Sequence, residues 1–401
     1  PGESLRRFLA WGVQRYPSRR YMVIVWGHGL GWLPATPAGA APPLETPRGG
    51  LALDESQHTA LDIPSLAGAL QGVSRAALRG RPFDVFIADA CLMQTIEVDT
   101  ELQGAARYVL GSEAKFDYAG LPYPALMSWL NRAAPEERRC PAGDAACAIA
   151  VGLPRLISQS APEPGQERDQ EQGQEQEQEP GQGRAQSAGL PEHYLFSSVD
   201  AAVLERELRP AMHRLGAALA AFLDEDPMRA APIRDLLAVR TGTGPAAERY
   251  VPDFPNGTRD LGVLLGRLRA AVEREASFSA AGESAVTRRL LSEIDASRGV
   301  LQRVVLGLST GRRYREERFA GLTGLGVWLP RCTEDWTRRG PLFAPSRFYR
   351  VAAPAEPGWQ GWLRQLFSTP SAPCPEPVPE VVPASTPPSS SIRRGGVKFS
   401  G

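Results

Sequence analysis

Two apolar runs in this chain each stop abruptly at a chemically competent side chain. One reads Tyr21-Met22-Val23-Ile24-Val25-Trp26-Gly27-His28-Gly29; the other reads Phe83-Asp84-Val85-Phe86-Ile87-Ala88-Asp89-Ala90-Cys91-Leu92-Met93. Runs this apolar, rich in β-branched and aromatic residues, are expected of strands buried on both faces in a parallel sheet covered by helices. Ligands in such sheets bind outside the carboxyl ends of the strands. Strands ending in His-Gly and in Ala-Cys therefore deliver a base and a nucleophile to one rim, the arrangement of a cysteine hydrolase.

The rest of the chain fits an α/β fold. Residues 4–13 have helical spacing, and Asp62-Ile63-Pro64 opens a helix with Pro in its first turn, where the missing N–H is harmless. The pattern predicts a strand over 83–88, a helix over 92–108 leaving directly from Cys91, and a strand over 108–110. This alternation predicts a parallel sheet with right-handed crossovers. Further strands are expected over 194–199, 304–308 and 325–329. Helices are expected over 200–223 and from the cap Asp260.

Residues 34–47 form a Pro/Ala/Gly linker. Residues 161–189 are Gln, Glu, Gly and Pro-rich, too polar to bury a core, and are read as a disordered insert; the Pro/Ser tail from 368 is read in the same way. The domain reading is a catalytic core over 1–160, this insert, a second α/β part over 190–367 completing the same fold, and the tail over 368–401.

Composition narrows the function classes. The 45 basic and 45 acidic side chains cancel, so bulk charge favours neither a nucleic-acid nor an anionic-membrane partner. No run approaches the roughly 20 apolar residues of a membrane span. Four histidines without clustered Cys/His spacing argue against a zinc site. The odd count of five cysteines leaves at least one outside any intramolecular pairing. Cys140 and Cys147 bracket a short loop and either bridge or stand as two thiols. The chain opens at Pro1 without Met, and the reading expects a truncated or processed amino end.

The motifs resemble the clostripain family of cysteine peptidases. The resemblance is carried by Val25-Trp26-Gly27-His28-Gly29-Leu30-Gly31-Trp32, Asp89-Ala90-Cys91-Leu92-Met93 with Glu97, Gly111-Ser112-Glu113 and Gly120-Leu121-Pro122-Tyr123. Weaker echoes are Ser198-Val199-Asp200, Asp260-Leu261, Gly326-Val327-Trp328-Leu329-Pro330 and the Trp359/Trp362 segment. It implies a mostly parallel, caspase-like sheet flanked by helices. Gly27 departs from the polar residue the family more often has before the His. The family's upstream first strand and helix are also lacking, so an amino-terminal strand is expected to be missing. Calcium as a cofactor and a secreted or periplasmic location are implied by the resemblance alone; no EF-hand-type loop is present.

The candidate site follows. Cys91 is the nucleophile, with a helix amino terminus after it expected to favour the thiolate. His28 is its dyad partner, assisting proton transfer to the leaving amine. The N–H groups of Gly29 and Cys91 are candidate oxyanion donors. Asp89, two residues before Cys91 and on the same strand face, is read either as the floor of a pocket for a basic P1 side chain or as a helix cap. Asp117 and Glu113 are secondary candidates for that pocket, and Glu97 supports the helix. His58, His193 and His213 are assigned to surfaces. Arg48, in Pro47-Arg48-Gly49-Gly50, is the expected self-cleavage site. The substrates expected are proteins or peptides with Arg or Lys at P1. Two rival readings are a catalytically silent caspase-like scaffold and a redox-sensing thiol protein.

Overall fold

The computed structural model describes residues 1–32, 50–54, 59–116, 120–132, 139–159, 194–237, 251, 254, 256–277, 284–315, 319–350 and 358–368. Residues 33–49, 160–193 and 369–401, which hold the expected linker, the insert and all of the tail but Ser368, lie outside them, as do Arg48, His58, Asp117 and His193.

The amino-terminal part begins with α1 (Gly2–Arg15), β1 (Met22–Trp26) and three short strands, β2 (Gly29–Gly31), β3 (Gly50–Asp54) and β4 (Thr59–Leu61). It continues through α2 (Ile63–Ala77), β5 (Phe83–Asp89), α3 (Ile96–Glu101), β6 (Ala106–Ser112), α4 (Tyr123–Asn131) and α5 (Ala145–Gln159). The second part runs β7 (Leu195–Asp200), α6 (Ala201–Val203), a π-helical turn over Leu204–Leu208, α7 (Arg209–Glu225), α8 (Ala230–Leu237) and β8 (Thr258–Asp260). Then come α9 (Leu261–Ser277), α10 (Ala285–Val304), β9 (Val305–Thr310), β10 (Gly326–Trp328), α11 (Thr333–Phe343) and α12 (Gly358–Leu366).

Five strands form the main sheet in the order β1-β5-β6-β7-β9. β1, β5 and β6 pair in parallel, while β7 pairs antiparallel with both β6 and β9. All but β7 therefore point the same way, giving the mostly parallel α/β sheet that the alternation predicts. Strands from both sides of the insert share this sheet. Val85 and Ile87 face α4 and α5, whereas Phe86, Ala88 and Ala90 face the larger core built with α2, α7, α9, α10 and α12. Burial of Val85, Phe86 and Ile87 contributes roughly 1.5–3 kcal/mol each, and the central position of β5 explains its unbroken apolar run. β1 is different: it lies at the sheet edge, and within it only Val23 is buried. Its apolar run thus does not mean burial on both faces.

The local signals for α2 hold. Asp62 caps it, its Oδ1 accepting the Ser65 N–H at 2.7 Å, with Pro64 in the first turn. The expected helix over 92–108 does not form. Leu92 has a left-handed backbone (φ 60°), and Gly104 another (φ 78°). Between them Thr95 caps the short α3, accepting the Val98 N–H, and from Ala106 the chain is strand. Cys140 and Cys147 form a disulfide closing the loop before α5. Among the described residues no helix is long and apolar enough to cross a membrane.

Candidate active site

The site is built by register. β1 and β5 are adjacent and parallel, with Trp26 opposite Asp89. The ladder continues one step further, the Gly27 N–H donating to the Asp89 carbonyl at 3.3 Å. His28 and Cys91 each lie two residues beyond the Trp26–Asp89 pair, so they leave neighbouring strands at the same rim. His28 is exposed and Cys91 half-buried.

The small sheet β2-β3-β4 fixes this rim. The Ala52 N–H donates to the His28 carbonyl at 2.9 Å. Ala52 adopts φ 54° to do so, a left-handed conformation that costs an ordinary residue about 1–3 kcal/mol and is retained only where the surroundings impose it. Gly29 packs directly on the Cys91 backbone. A Cβ at Gly29 would overlap the Cys91 carbonyl oxygen and lie 2.9 Å from both Ala90 Cβ and Met93 Cγ. Only hydrogen at this position permits the approach.

The polarity around the thiol has a different source from the one the sequence suggests. Four residues lie between Cys91 and Ile96, the first residue of α3, so the amino terminus of α3 does not start at the sulfur. Phe116 instead faces the sulfur with both backbone groups: its N–H donates to Cys91 Sγ at 3.2 Å, and its carbonyl oxygen lies 3.5 Å from Sγ as an acceptor for the thiol. Leu92, directly after Cys91, holds its left-handed turn through an N–H donated to the Ala114 carbonyl at 3.0 Å.

Asp89 is buried on the α4 side of β5. Its Oδ2 accepts the Tyr123 hydroxyl at 2.6 Å and the Leu121 N–H at 3.1 Å. Burial pushes its carboxyl above the ordinary range, and those two donors pull it part of the way back. It caps no helix. Trp26 stands beside it at the rim and is 54% exposed.

Glu113 does not join this pocket. Ile87 pairs with Leu110, so Ser112 follows the face of Asp89 and Glu113 the opposite face. There Glu113 is fully buried, packed against Gly326 and facing Asp260; burial and the Asp260 charge push its carboxyl well up. Glu97 is also fully buried and joins the two halves of the chain. Its Oε1 accepts the Trp328 N–H at 2.9 Å and the Tyr349 hydroxyl at 3.2 Å. With no cation among these partners, burial lifts the Glu97 carboxyl to about 7.

His213 is not a surface residue. Half-buried on α7, it contacts the Phe348 carbonyl through Nε2 at 2.9 Å and accepts the Trp359 N–H at Nδ1. Tyr123 is the site residue that sequence reasoning leaves without a role, although it ends the Gly120–Tyr123 motif. Among the described residues no group of three or more His, Cys, Asp or Glu side chains is placed to hold a metal ion.

Residues 2–141, which carry this whole rim, match the model of the clostripain family. Over that stretch the chain is similar to the clostripain family of cysteine peptidases. Among solved structures it is similar to a secreted C11 cysteine protease from Bacteroides thetaiotaomicron bound to an irreversible peptide inhibitor, at 17% identity and TM-score 0.47, covering 86% of this chain and 77% of that one. It is similar also to an inactive zymogen C11 protease from Parabacteroides distasonis, at 16% identity and TM-score 0.42, covering 87% and 74%. A B. fragilis cysteine protease matches at 16% identity and TM-score 0.43, covering 78% and 98%. Comparison with curated proteins found no match.

Proposed function

We propose that this clostripain-like chain is an endopeptidase that cleaves after Arg or Lys through a Cys91–His28 dyad. The observation that carries the reading is the β1–β5 register, which takes both residues off adjacent strands onto one rim. Cys91 Sγ attacks the scissile carbonyl carbon, and His28 gives a proton to the departing amine as the C–N bond breaks. Water then displaces Sγ from the thioester, releasing the acid and regenerating the thiol. The N–H groups of Gly29 and Cys91 are the donors assigned to the oxyanion. Asp89, a buried carboxyl two residues before Cys91, is the group assigned to the P1 cation; Asp117 is a further acidic candidate from the neighbouring loop.

Self-cleavage after Arg48 belongs to the same reading. The residues on both sides of 33–49 are pinned at the rim, Gly31 packing against the Leu92 carbonyl and Ala52 bonding the His28 carbonyl. Arg48 is two residues before β3. The Cys140–Cys147 disulfide fits an oxidising compartment outside the cytosol. Calcium enters the reading only through the family resemblance.

The test is mass spectrometry of peptides with Arg, Lys or neutral residues after incubation with the purified chain and with Cys91→Ala. Cleavage after Arg and Lys by the unaltered chain, and none by Cys91→Ala, is expected. Cleavage that survives Cys91→Ala would overturn the assignment.

A further inference from the structure

The carboxylate assigned to P1 is half committed. A carboxylate oxygen has two lone-pair sites, and at Asp89 Oδ2 the Tyr123 hydroxyl and the Leu121 N–H fill them, at 2.6 and 3.1 Å. Tyr123 remains a donor: burial and the Asp89 charge push its phenol well above the ordinary range. Gly120 closes over the same oxygen, since a Cβ there would lie 2.6 Å from Oδ2 and 3.0 Å from Trp26 Nε1. The other oxygen, Oδ1, is buried in a side chain only 2% exposed and has no hydrogen-bond partner among the described residues. A buried acceptor left in that state costs free energy until a donor reaches it.

We propose that Tyr123 is a specificity-determining residue: by occupying Asp89 Oδ2 it leaves a one-oxygen acceptor, which takes Lys and Arg at P1 nearly alike. This rests on the reading of Asp89 as the P1 group. A guanidinium gains over an ammonium chiefly by its fork, two parallel N–H bonds to the two oxygens of one carboxylate. With Oδ2 filled, the fork has no second oxygen. An ammonium is a compact charge and needs only Oδ1. Removing the Tyr123 hydroxyl opens one lone pair on Oδ2 and restores the fork.

The experiment compares kcat/KM of the unaltered chain and Tyr123→Phe on matched substrates with Arg, Lys or norleucine at P1. The Arg:Lys ratio is expected to rise about fivefold or more in Tyr123→Phe, the gain from one added hydrogen bond. A ratio unchanged within about twofold would overturn the proposal, because a merely structural hydroxyl lowers both rates together. Thermal unfolding checks that the variant folds. A second measurement needs no variant: n-butylguanidine and n-pentylamine as competitive inhibitors of the unaltered chain. Inhibition constants within about tenfold of each other are expected, whereas a guanidine preference of about a hundredfold would reveal a two-oxygen fork and overturn the proposal. Failure of the underlying reading looks different. If norleucine substrates are cleaved as well as Arg and Lys substrates, Asp89 does not bind P1, and the proposal falls with it.

Discussion

Gly29→Ala should separate catalysis from folding more cleanly than replacement of Cys91 or His28. The added Cβ would lie 2.9 Å from Ala90 Cβ and Met93 Cγ and closer still to the Cys91 carbonyl oxygen. Carbon pairs sit comfortably at about 3.5–4.0 Å, so each carbon contact is short by about 0.6 Å. The Met93 side chain can swing aside, but the Cys91 carbonyl is backbone and can yield only by moving the turn that carries the thiol. A displacement approaching 1 Å at a reacting group costs on the order of a hundredfold in rate. Overpacking at a tight contact costs about 1–3 kcal/mol of stability, which a folded domain can absorb. The control is Gly68→Ala on α2, where the new Cβ would meet nothing within 4 Å and should stabilise the helix by about 0.5–1 kcal/mol. The assay is kcat/KM on an Arg-P1 fluorogenic peptide, with urea unfolding of all three proteins in parallel. Gly29→Ala is expected to lose about a hundredfold in kcat/KM while still unfolding cooperatively, and Gly68→Ala to keep full activity. A folded Gly29→Ala protein with activity within about threefold of the unaltered chain would refute the argument that this approach sets the rim geometry.

Other substitutions probe other links. Asp89→Asn should reduce kcat/KM on Arg-P1 peptides by about 30-fold or more, the cost of losing one partner of a desolvated pair (about 2–5 kcal/mol), and should spare a norleucine-P1 peptide; equal losses on both would make Asp89 structural. Because burial raises Glu97 to about 7, the folded chain keeps a proton there that the unfolded chain has lost, so stability should fall as pH rises from about 4.5 to about 7. Linkage puts that fall at about 3 kcal/mol, measurable by urea unfolding at pH 5 and pH 8 and reduced in Glu97→Gln; an identical pH slope in Glu97→Gln would contradict it. Arg48→Ala should give an uncut chain on a denaturing gel with delayed activity, whereas the unaltered chain should show a fragment beginning at Gly49; absence of that fragment from fully active protein would remove self-cleavage from the reading.

Both strands that position the site are legible as strands, but only β5 carries its burial pattern in its own side chains; β1 is an edge strand with Val23 alone buried. Phe83–Asp89 is nearly all apolar and forms a central strand. What followed Cys91 was not legible. Residues 92–108 have helical composition, but the left-handed turn at Leu92 answers to the Ala114 carbonyl, a partner distant in sequence. β2 and β3 are not legible in the sequence, because Gly29–Gly31 and Gly50–Asp54 are short and glycine-bearing, with no apolar alternation. The separation of Glu113 from Asp89 follows from strand alternation, but only once the Ile87–Leu110 register is known. His213 reads as a surface residue in the sequence because its partners, Phe348 and Trp359, lie on segments far along the chain. Tyr123 ends the Gly120–Tyr123 motif, yet nothing in the sequence places its hydroxyl on Asp89.

The central claim is that Cys91 and His28 act together at one rim. Its most direct test is intact-protein and peptide-level mass spectrometry after reaction with an arginyl peptide carrying an irreversible thiol-reactive group. The account predicts one adduct, on Cys91, blocked by competing substrate and lost on denaturation before labelling. It also predicts that His28→Ala labels at least about a hundredfold more slowly while its unfolding curve is unchanged. Substrate-protected labelling of another cysteine, or a His28→Ala protein labelled at the rate of the unaltered chain, would contradict it.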